Sequence, residues 1–385
     1  MRDRPPSGLF PNGLALGMEG DGALHPWGFA VIYWVFGDVS PAGRARLIRS
    51  GGRRENMAYK VFIDGQEGTT GLQIHDRLRG RTDIELLEIP EELRKDPAAK
   101  LELYRQSDVS ILCLPDAASR EAFETVKGGT ARVIDASTAF RTAPGWVYGL
   151  PELSPDQRSS IRSAQFVSNC GCYAAGFILA LRPLVTAGAV SSDYPVTCHA
   201  VSGYSGGGKR LIQTYEGSGS ILPARPYAFG LRHKHVPEMQ KYTGLAYPPL
   251  FAPLVGHFYE GMIVSVPLFP RLLTKPMTPR EVREVLADYY RGEPFITVAP
   301  FDNETGLEEG FLSPTACNDS NRLDLFVFGH EEQMLVAARF DNLGKGASGT
   351  AVQNMNIMLG VEETRGLMEG LADERSSLRS RSQPF

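Results

Sequence analysis

The sequence lacks an excess of positive charge. Its 385 residues include 40 Lys and Arg against 44 Asp and Glu, a net charge of −4, and no long basic run occurs. A nucleic-acid or anionic-membrane partner therefore has no electrostatic support. Small, soluble ligands are the favoured partners.

Cysteine is also scarce. The five cysteines are an odd number scattered through a large chain, which argues against a disulfide framework and indicates a reducing, cytoplasmic compartment. Cys170 and Cys172 lie two residues apart, but no second Cys or His pair follows at a matching spacing. No metal site is therefore predicted.

The first 56 residues lack the features of a targeting or membrane segment. Their apolar patch, residues 27–36, is too short to span a bilayer, and no small-residue cleavage site follows it. We expect Met57, directly before a clean strand, to be the natural start, with residues 1–56 a disordered or mis-assigned extension. Residues 361–385 are predicted to form a tail, because the alternating Ser and Arg from about Gly366 are typical of disorder.

The remaining length allows two domains, each with its own core. The first opens with a strand at residues 60–64, the turn Gly-Gln-Glu-Gly-Thr-Thr-Gly at residues 65–71 and a helix pattern. Glycines three apart let the backbone approach a pyrophosphate, and the helix start offers free amides to its charge. With further strands at residues 84–89 and 108–114, the pattern predicts a Rossmann-type dinucleotide-binding domain over residues 57–168. The alternative is an α/β domain whose first turn is merely rich in glycine.

The residues after these strands leave the cofactor type open. Glu88 would accept a bond from a ribose hydroxyl and favours NAD, whereas Arg94 and Lys95 could bind the additional phosphate of NADP. A fourth strand, at residues 132–136, delivers Arg141 to the carboxyl edge of the sheet, where ligands bind. Arg141 is there a candidate clamp for phosphate or carboxylate, with a solvent-facing side chain as the alternative.

A thiol stands between a short strand and an apolar helix. Asn-Cys-Gly-Cys-Tyr occupies residues 169–173, after a predicted strand at residues 165–168 and before a predicted helix at residues 173–184. A Cys at a helix start faces unpaired amides and the positive end of the helix dipole, which favour the thiolate. Cys172 is therefore a candidate nucleophile, although unmodified cysteines also commonly fill protein cores.

Residues 203–209 nearly form a phosphate-binding loop of the ATPase type. Gly203, Gly208 and Lys209 fit that pattern, but Arg210 stands where a Ser or Thr should ligate magnesium. ATP hydrolysis is therefore disfavoured. A glycine loop after the strand predicted at residues 196–202 can still hold an anion or a cofactor amide through its backbone, and the alternative is a flexible turn.

Two of the seven histidines precede a helix start. His233 and His235 flank Lys234, and Pro237 falls in the first turn of the helix that follows. His235 lies close to that helix and suits packing or capping. His233 is the freer candidate for acid–base work, since an imidazole titrates near neutral pH.

The second half is predicted to be an α+β catalytic and dimerisation domain over residues 169–341. Thr278 and Glu281 form a capping box that starts a helix. The predicted strands of a mostly antiparallel sheet, with helices on one face, are residues 261–268, 323–328 and 333–340.

Residues 342–360 close the folded chain. A helix from about Ala347 is predicted to return to the first domain. Asn342, just before it, is a candidate partner of a nicotinamide carboxamide, with helix capping as the alternative.

The combination of motifs resembles the N-acetyl-γ-glutamyl-phosphate reductase family, whose relatives include aspartate-semialdehyde dehydrogenase. The family usually has Pro where this chain has Cys170, and Arg where it has Lys234. The compact first domain resembles the shorter of the family's two types. The segments that carry the resemblance are residues 65–71, 146–153, 169–173, 202–209, 233–238 and 341–353.

The resemblance implies an enzyme of arginine biosynthesis that reduces N-acetyl-γ-glutamyl phosphate to the semialdehyde through a Cys thioester. It implies NADP(H) as the cofactor, a homodimer or homotetramer, Cys172 as the nucleophile and His233 as the acid–base. Aspartate-semialdehyde dehydrogenase and a non-catalytic NADP-binding regulator are the alternatives. The other expected site residues are Gly65, Gly68, Thr69, Thr70, Gly71, Ser137, Ser205, Gly206 and Asn342 for the cofactor, and Asn169, Arg141 and Lys209 for the substrate.

Overall fold

Two β-sheets organise the protein. The computed structural model describes residues 58–66, 68–217, 219–302 and 304–367. The extension predicted for residues 1–56 lies outside the described residues, as does the tail from residue 368 onward.

The first sheet is parallel throughout. Its strand order is β2-β1-β3-β4-β6-β5, and a strand such as β3, buried at every position, is typical of a parallel sheet covered on both faces. Its strands are β1 (Tyr59–Asp64), β2 (Ile84–Leu87), β3 (Val109–Leu112), β4 (Val133–Asp135), β5 (Val147–Gly149) and β6 (Phe166–Asn169), and the helices between them are α1 (Thr69–Leu78), α2 (Pro97–Gln106), α3 (Asp116–Val126) and α4 (Gln157–Ser163). This confirms the predicted Rossmann-type fold.

The second sheet is mixed and mostly antiparallel, as predicted. Its strand order is β11-β12-β13-β10-β7-β9-β8, and only β11 with β12 and β7 with β9 pair in parallel among the described strands. Its strands are β7 (Thr197–Ser202), β8 (Arg225–Pro226), β9 (Leu250–Val255), β10 (Met262–Leu268), β11 (Ile296–Val298), β12 (Leu323–His330) and β13 (Gln333–Phe340).

Helices cover one face of this sheet. Alternate residues of β10 are buried beneath α5, which is the period expected of a sheet packed on one face. The helices α5 (Cys172–Thr186) and α8 (Pro279–Tyr289) pack on the strands, and α7 (Val236–Thr243) packs on α5. The helix α6 (Gly208–Glu216) follows the glycine loop. The predicted capping box is present at α8, where Thr278 and Glu281 exchange hydrogen bonds.

The last helix belongs to the core of the first sheet. Ala351, Val352 and Met355 of α9 (Gly349–Leu359) pack with Val61 and Ile111. A π-helical turn, Gly344–Ser348, precedes α9, so the regular helix begins two residues later than predicted.

The last described residues, 361–367, follow α9 and contact the first sheet's core. Leu367 is buried in the same core, and Glu363 accepts a hydrogen bond from Arg158 Nε at 2.7 Å. Burial of one apolar side chain and one ion pair therefore holds residues 361–367 against the first sheet.

Among the described residues, none of the helices has the length and apolar composition needed to cross a bilayer.

Candidate active site

Cys172 is the first residue of α5, at the carboxyl end of β6. Gly171 before it is extended (φ −82°, ψ 146°), and no side chain caps this helix start. Nearly every residue in the rest of α5 is apolar, so this helix is buried on nearly all sides. The buried helix fixes Cys172 in place. The strand–thiol–helix arrangement predicted from the sequence is thus present.

Two glycines leave room around this thiol. A Cβ on Gly346, in the π-helical turn, would lie 2.7 Å from the Cys172 Cβ. A Cβ on Gly171 would lie 2.4 Å from Arg141 Nη1 and 2.5 Å from Glu238 Oε1. Cys172 therefore rests against the turn before α9 on one side, and its neighbour Gly171 rests on a buried ion pair.

Opposing effects act on the ionisation of Cys172. Burial raises the pKa of Cys172 to about 11, against the lowering effects of Arg141, the Tyr173 backbone N–H and Lys234. Thiolate formation at neutral pH, expected from the helix start, stays a prediction.

Glu238 organises the base of the site, and the sequence analysis did not single it out. Its Oε1 accepts from Arg141 Nη1 at 2.8 Å, and its Oε2 accepts from the Tyr148 hydroxyl at 2.7 Å and from Gly171 N–H at 3.0 Å. All of its carboxylate is therefore engaged, with 1% of the residue exposed. Glu238 lies in the first turn of α7, which starts next to two histidines. That position was the sequence signal that could have identified it.

The two histidines differ in exposure and contacts. His233 is half-buried; its Nδ1 accepts from the backbone N–H of His235 at 3.1 Å, and its Nε2 lies 3.4 Å from the Tyr227 hydroxyl. The neutral His233 ring therefore carries its proton on Nε2. Burial lowers the pKa of His233 to about 4, with Lys234 and Arg141 adding to the effect.

His235 is the residue before α7 and is buried. Its ring does not cap the helix, and its Nδ1 has no hydrogen-bond partner among the described residues. Burial lowers the pKa of His235 well below its usual value. A packing role, as expected from the sequence, suits this environment better than proton transfer does.

A cavity of about 370 Å³ opens beside Cys172. Its walls are mostly apolar, and the exposed Arg225 supplies a cation with no hydrogen-bond or ion-pair partner among the described residues. Other lining residues are Tyr173, Ser202, Gly203, Gly206, Leu211, Tyr215, Tyr227 and Val255. Arg225 lies on a two-residue strand, which is too short to show the alternation of apolar residues that predicts a strand. The sequence analysis therefore missed it.

The predicted glycine loop forms one wall of the cavity. Gly206 lines it, and Ser205 is buried behind, where its hydroxyl accepts from Asn342 Nδ2 at 3.1 Å. Asn342 Oδ1 in turn accepts from Gly261 N–H at 2.8 Å, so its side chain ties the loop to β10 and caps no helix. Lys209 is exposed on α6 and is not part of the cavity lining.

Three residues predicted to contact ligands instead form hydrogen bonds with other groups of the same chain. Arg141 bonds the Asn169 and Ala136 carbonyls in addition to Glu238, so it is neither solvent-facing nor a free clamp. The Asn169 side chain donates to the Ala347 carbonyl at 2.9 Å and accepts from Asn354. Ser137 donates to Asp135 at 2.6 Å. Direct ligand contacts by Arg141, Asn169 and Ser137 stay predictions.

The glycine turn after β1 has the geometry of a phosphate cradle. Gly65 has φ +87°, and a Cβ there would lie 2.5 Å from the Cys113 carbonyl; a Cβ on Gly71 would lie 2.5 Å from the Gly65 carbonyl. The Gly68 carbonyl accepts the first α-helical bond, from Leu72 N–H, and no side chain caps α1. The first amides of α1, including those of Thr69 and Thr70, are thus available to an anion, so these residues fit the diphosphate of a dinucleotide.

Family models match both halves of the chain. A model described as "Semialdehyde dehydrogenase, NAD binding domain" matches residues 60–161, and one described as "Semialdehyde dehydrogenase, dimerisation domain" matches residues 172–342.

Solved structures share the fold at low identity. Aspartate semialdehyde dehydrogenase from Francisella tularensis superposes with a TM-score of 0.63 at 14% identity, covering 78% of this chain and 100% of that chain. The Candida albicans enzyme, solved with NADP, has a TM-score of 0.56 at 14% identity, covering 79% of this chain and 99% of that chain.

Curated relatives are far more similar in sequence. "N-acetyl-gamma-glutamyl-phosphate reductase 2" of a Nostoc species is 51% identical over 318 residues, covering 80% of this chain and 99% of the relative. "N-acetyl-gamma-glutamyl-phosphate reductase" of Burkholderia ambifaria is 48% identical over 305 residues, covering 78% of this chain and 96% of the relative. The chain therefore belongs to the N-acetyl-γ-glutamyl-phosphate reductase family.

Proposed function

We propose that the protein catalyses the NADPH-dependent reduction of N-acetyl-γ-glutamyl phosphate to N-acetylglutamate semialdehyde and phosphate, a step of arginine biosynthesis. The observation that carries the proposal is the position of Cys172, at the start of a buried helix and on the wall of a cavity that holds an exposed cation. A nucleophile and a cation in one apolar cavity suit an anionic acyl donor.

NADPH supplies a hydride for thioester reduction when it is bound. The glycine turn would hold its diphosphate through backbone amides. The residues proposed for cofactor binding are Gly65, Gly68, Thr69, Thr70 and Gly71 at the phosphates, Ser137 at the carboxyl edge of the first sheet, and Ser205, Gly206 and Asn342 on the side of Cys172.

The acyl-transfer step needs no separate base. The Cys172 sulfur attacks the acyl carbon, the carbon–oxygen bond to phosphate breaks, and the oxygen keeps its electron pair. The Cys172 thiol gives up its proton as the thiolate attacks, and the departing phosphate takes up one proton and leaves as hydrogen phosphate. A thioester on Cys172 remains.

His233 acts at the reduction step. Hydride addition to the thioester carbon puts a negative charge on the oxygen of a thiohemiacetal, and the Nε2–H of His233 is a suitable donor to that oxygen. Expulsion of the Cys172 thiolate then gives the semialdehyde, and the thiolate takes up a proton again. The proposed role of His233 is therefore to hold and exchange the proton at this oxygen.

Substrate recognition is assigned to the charged and polar groups around the cavity. Arg225 is the proposed partner of the substrate α-carboxylate, since guanidinium matches a carboxylate in bidentate fashion. Asn169, Arg141 and Lys209 remain proposed substrate residues, and a contact by Arg141 would require its bonds to Glu238 to open.

The assembly and compartment are further parts of the proposal. The match to a dimerisation domain supports an oligomer, and we propose a homodimer or homotetramer. The five free cysteines fit a reducing, cytoplasmic location. We keep residues 57–168 as the cofactor domain, 169–341 as the catalytic domain and 342–360 as the returning segment.

The test is spectrophotometric reduction of NADP by N-acetylglutamate semialdehyde in the presence of phosphate. We expect turnover that needs phosphate, is lost in Cys172→Ser, and is faster than with aspartate semialdehyde. NADP binding without thiol-dependent turnover would indicate a non-catalytic regulator. A preference for aspartate semialdehyde would refute the assigned substrate.

A further inference from the structure

A buried carboxylate lies at the start of the Cys172 helix, where carboxylates oppose thiolate formation. Glu238 Oε2 accepts from Gly171 N–H at 3.0 Å, and Gly171 is the residue directly before Cys172. The Glu238 side chain is not among the residues that line the cavity. Glu238 therefore reaches the site through the groups that it bonds, among them the backbone N–H next to Cys172.

Arg141 holds this carboxylate and compensates its charge. The two side chains form a 2.8 Å ion pair, with 9% and 1% of the Arg141 and Glu238 side chains exposed. Arg141 is fixed in turn by the carbonyls of Asn169 and Ala136. The pair thus joins the end of β6, the loop after β4 and the first turn of α7 directly beneath Cys172.

Gly171 makes this arrangement possible. Any side chain at Gly171 would collide with both members of the ion pair and with His235 Nε2, at 2.7 Å. Backbone and ion pair are therefore in direct contact, and a small shift of Glu238 moves the start of α5.

We propose that Glu238 is a positioning residue for Cys172: it fixes the start of the nucleophile's helix through Gly171, and it places a carboxylate, paired with Arg141, beside the thiol. The role of Cys172 as the nucleophile rests on the proposed function, whereas the contacts of Glu238 with Gly171 and Arg141 do not depend on it. Burial is the main cause that raises the pKa of Cys172 to about 11; Arg141, the Tyr173 backbone N–H and Lys234 lower that pKa, and Glu238 adds a smaller increase.

Other titratable groups surround Cys172, and the charge balance includes them. The groups that interact electrostatically with Cys172 are Arg141, Lys234, Glu238, Tyr173 and Tyr227. Tyr148, Glu152 and Lys345 interact in the same way with the neighbouring Cys170. The rings of His233 and His235 pack against Tyr173. Because Glu238 and Arg141 act with opposite signs, substitutions of the two should shift the ionisation of Cys172 in opposite directions.

The test follows alkylation of Cys172 by iodoacetamide across pH, with the Cys172 peptide quantified by mass spectrometry. We expect Glu238→Gln to lower the pH midpoint and to speed alkylation at pH 7 by at least about threefold, since the thiolate is the reacting form. Arg141→Gln should raise the midpoint. Asp324→Asn, which breaks another buried ion pair of the protein, the 2.9 Å pair with Arg339, is the matched control and should leave the midpoint unchanged.

Positioning is tested by turnover of the same proteins. Glu238→Gln should react faster with iodoacetamide and yet show a lower kcat at unchanged NADPH affinity, because Gly171 N–H loses its charged acceptor. An unchanged or raised midpoint in folded Glu238→Gln overturns the proposal. If that variant does not fold, an unchanged or lowered midpoint in Arg141→Gln does so. Alkylation needs no substrate, so an enzyme without reductase activity would refute the proposed function and leave this test intact.

Discussion

Lys345 Nζ donates to Glu152 Oε1 at 2.7 Å in an ion pair whose two side chains are completely buried. Lys345 belongs to the π-helical turn behind Cys172, and Glu152 lies in the turn after β5. Gln353 bonds both partners.

We expect Lys345→Met to lower the free energy of unfolding by about 3–5 kcal/mol, because a buried carboxylate loses its counter-charge. Urea denaturation measures this change. The double variant Lys345→Met with Glu152→Met should recover part of the loss. Lys127→Met, which removes the exposed ion pair with Glu124, is the control and should cost less than about 1 kcal/mol; equal losses in the two single variants would contradict the prediction.

Gly346→Ala should impair turnover through Cys172. The added methyl group would lie 2.7 Å from the Cys172 Cβ, so the nucleophile or the turn must move. We expect a loss of stability of about 1–3 kcal/mol and a fall in kcat. Gly128→Ala, where a Cβ meets no atom within 4 Å, is the control. Wild-type kcat in Gly346→Ala would show that this contact does not fix the thiol.

Gly65→Ala should weaken NADPH binding. Gly65 has φ +87°, and a methyl group there would lie 2.5 Å from the Cys113 carbonyl, so the turn that faces the phosphates must open. We expect the Kd from fluorescence titration to rise at least about tenfold. Gly80→Ala introduces a similar backbone strain, at φ +82°, but in open space. If both variants weaken binding equally, general strain and not the cradle is responsible.

Arg225→Met should raise KM for N-acetylglutamate semialdehyde. A charge-assisted bond to the substrate carboxylate is worth about 1.5–3 kcal/mol, which corresponds to a roughly tenfold to hundredfold increase. An amide or ester in place of the carboxylate should remove the difference between variant and wild type. Arg291→Met, at an exposed ion pair on the surface, serves as the control. A KM within about twofold of wild type would remove Arg225 from the site.

Stability should fall as pH drops from about 6.5 to about 4. Burial lowers the pKa of His233 to about 4 and holds that of His235 well below its usual value, so the unfolded chain binds more protons than the folded protein in this window. The contribution of the two histidines to stability is complete above their pKa in the unfolded chain, and it is lost as the pH falls toward their pKa in the folded protein. His235→Gln should flatten the decline of Tm with pH relative to wild type, whereas His330→Gln, at an exposed site, should not. Equal slopes in all three would contradict the prediction.

The fold was largely readable from the sequence, because its main signals are local. Glycine spacing located the β1 turn, and the strands predicted at residues 261–268 and 333–340 correspond to β10 and β13. The strands that the sequence analysis did not assign are short or contain Pro: β5, β8, β9 and β11. Such strands owe their pairing to neighbours that are distant in sequence.

The candidate site was readable only in part. Cys172 and His233 were identified because thiol and imidazole carry recognisable chemistry beside a helix start. The pairing of Glu238 with Arg141 joins residues 97 positions apart, and no sequence period reports such a contact. The burial that raises the pKa of Cys172 is likewise not visible in the sequence, whereas the helix start is.

The return of α9 to the first sheet has a consequence for synthesis of the chain. Met355 and Ile357 complete a core whose other side chains include Val61 and Ile111, which emerge from the ribosome 294 and 244 residues before Met355. Until the last segment is made, the first sheet keeps an apolar surface uncovered. We therefore expect truncation before residue 349 to leave a chain that aggregates or recruits chaperones, even though every residue of the nucleotide cradle is present.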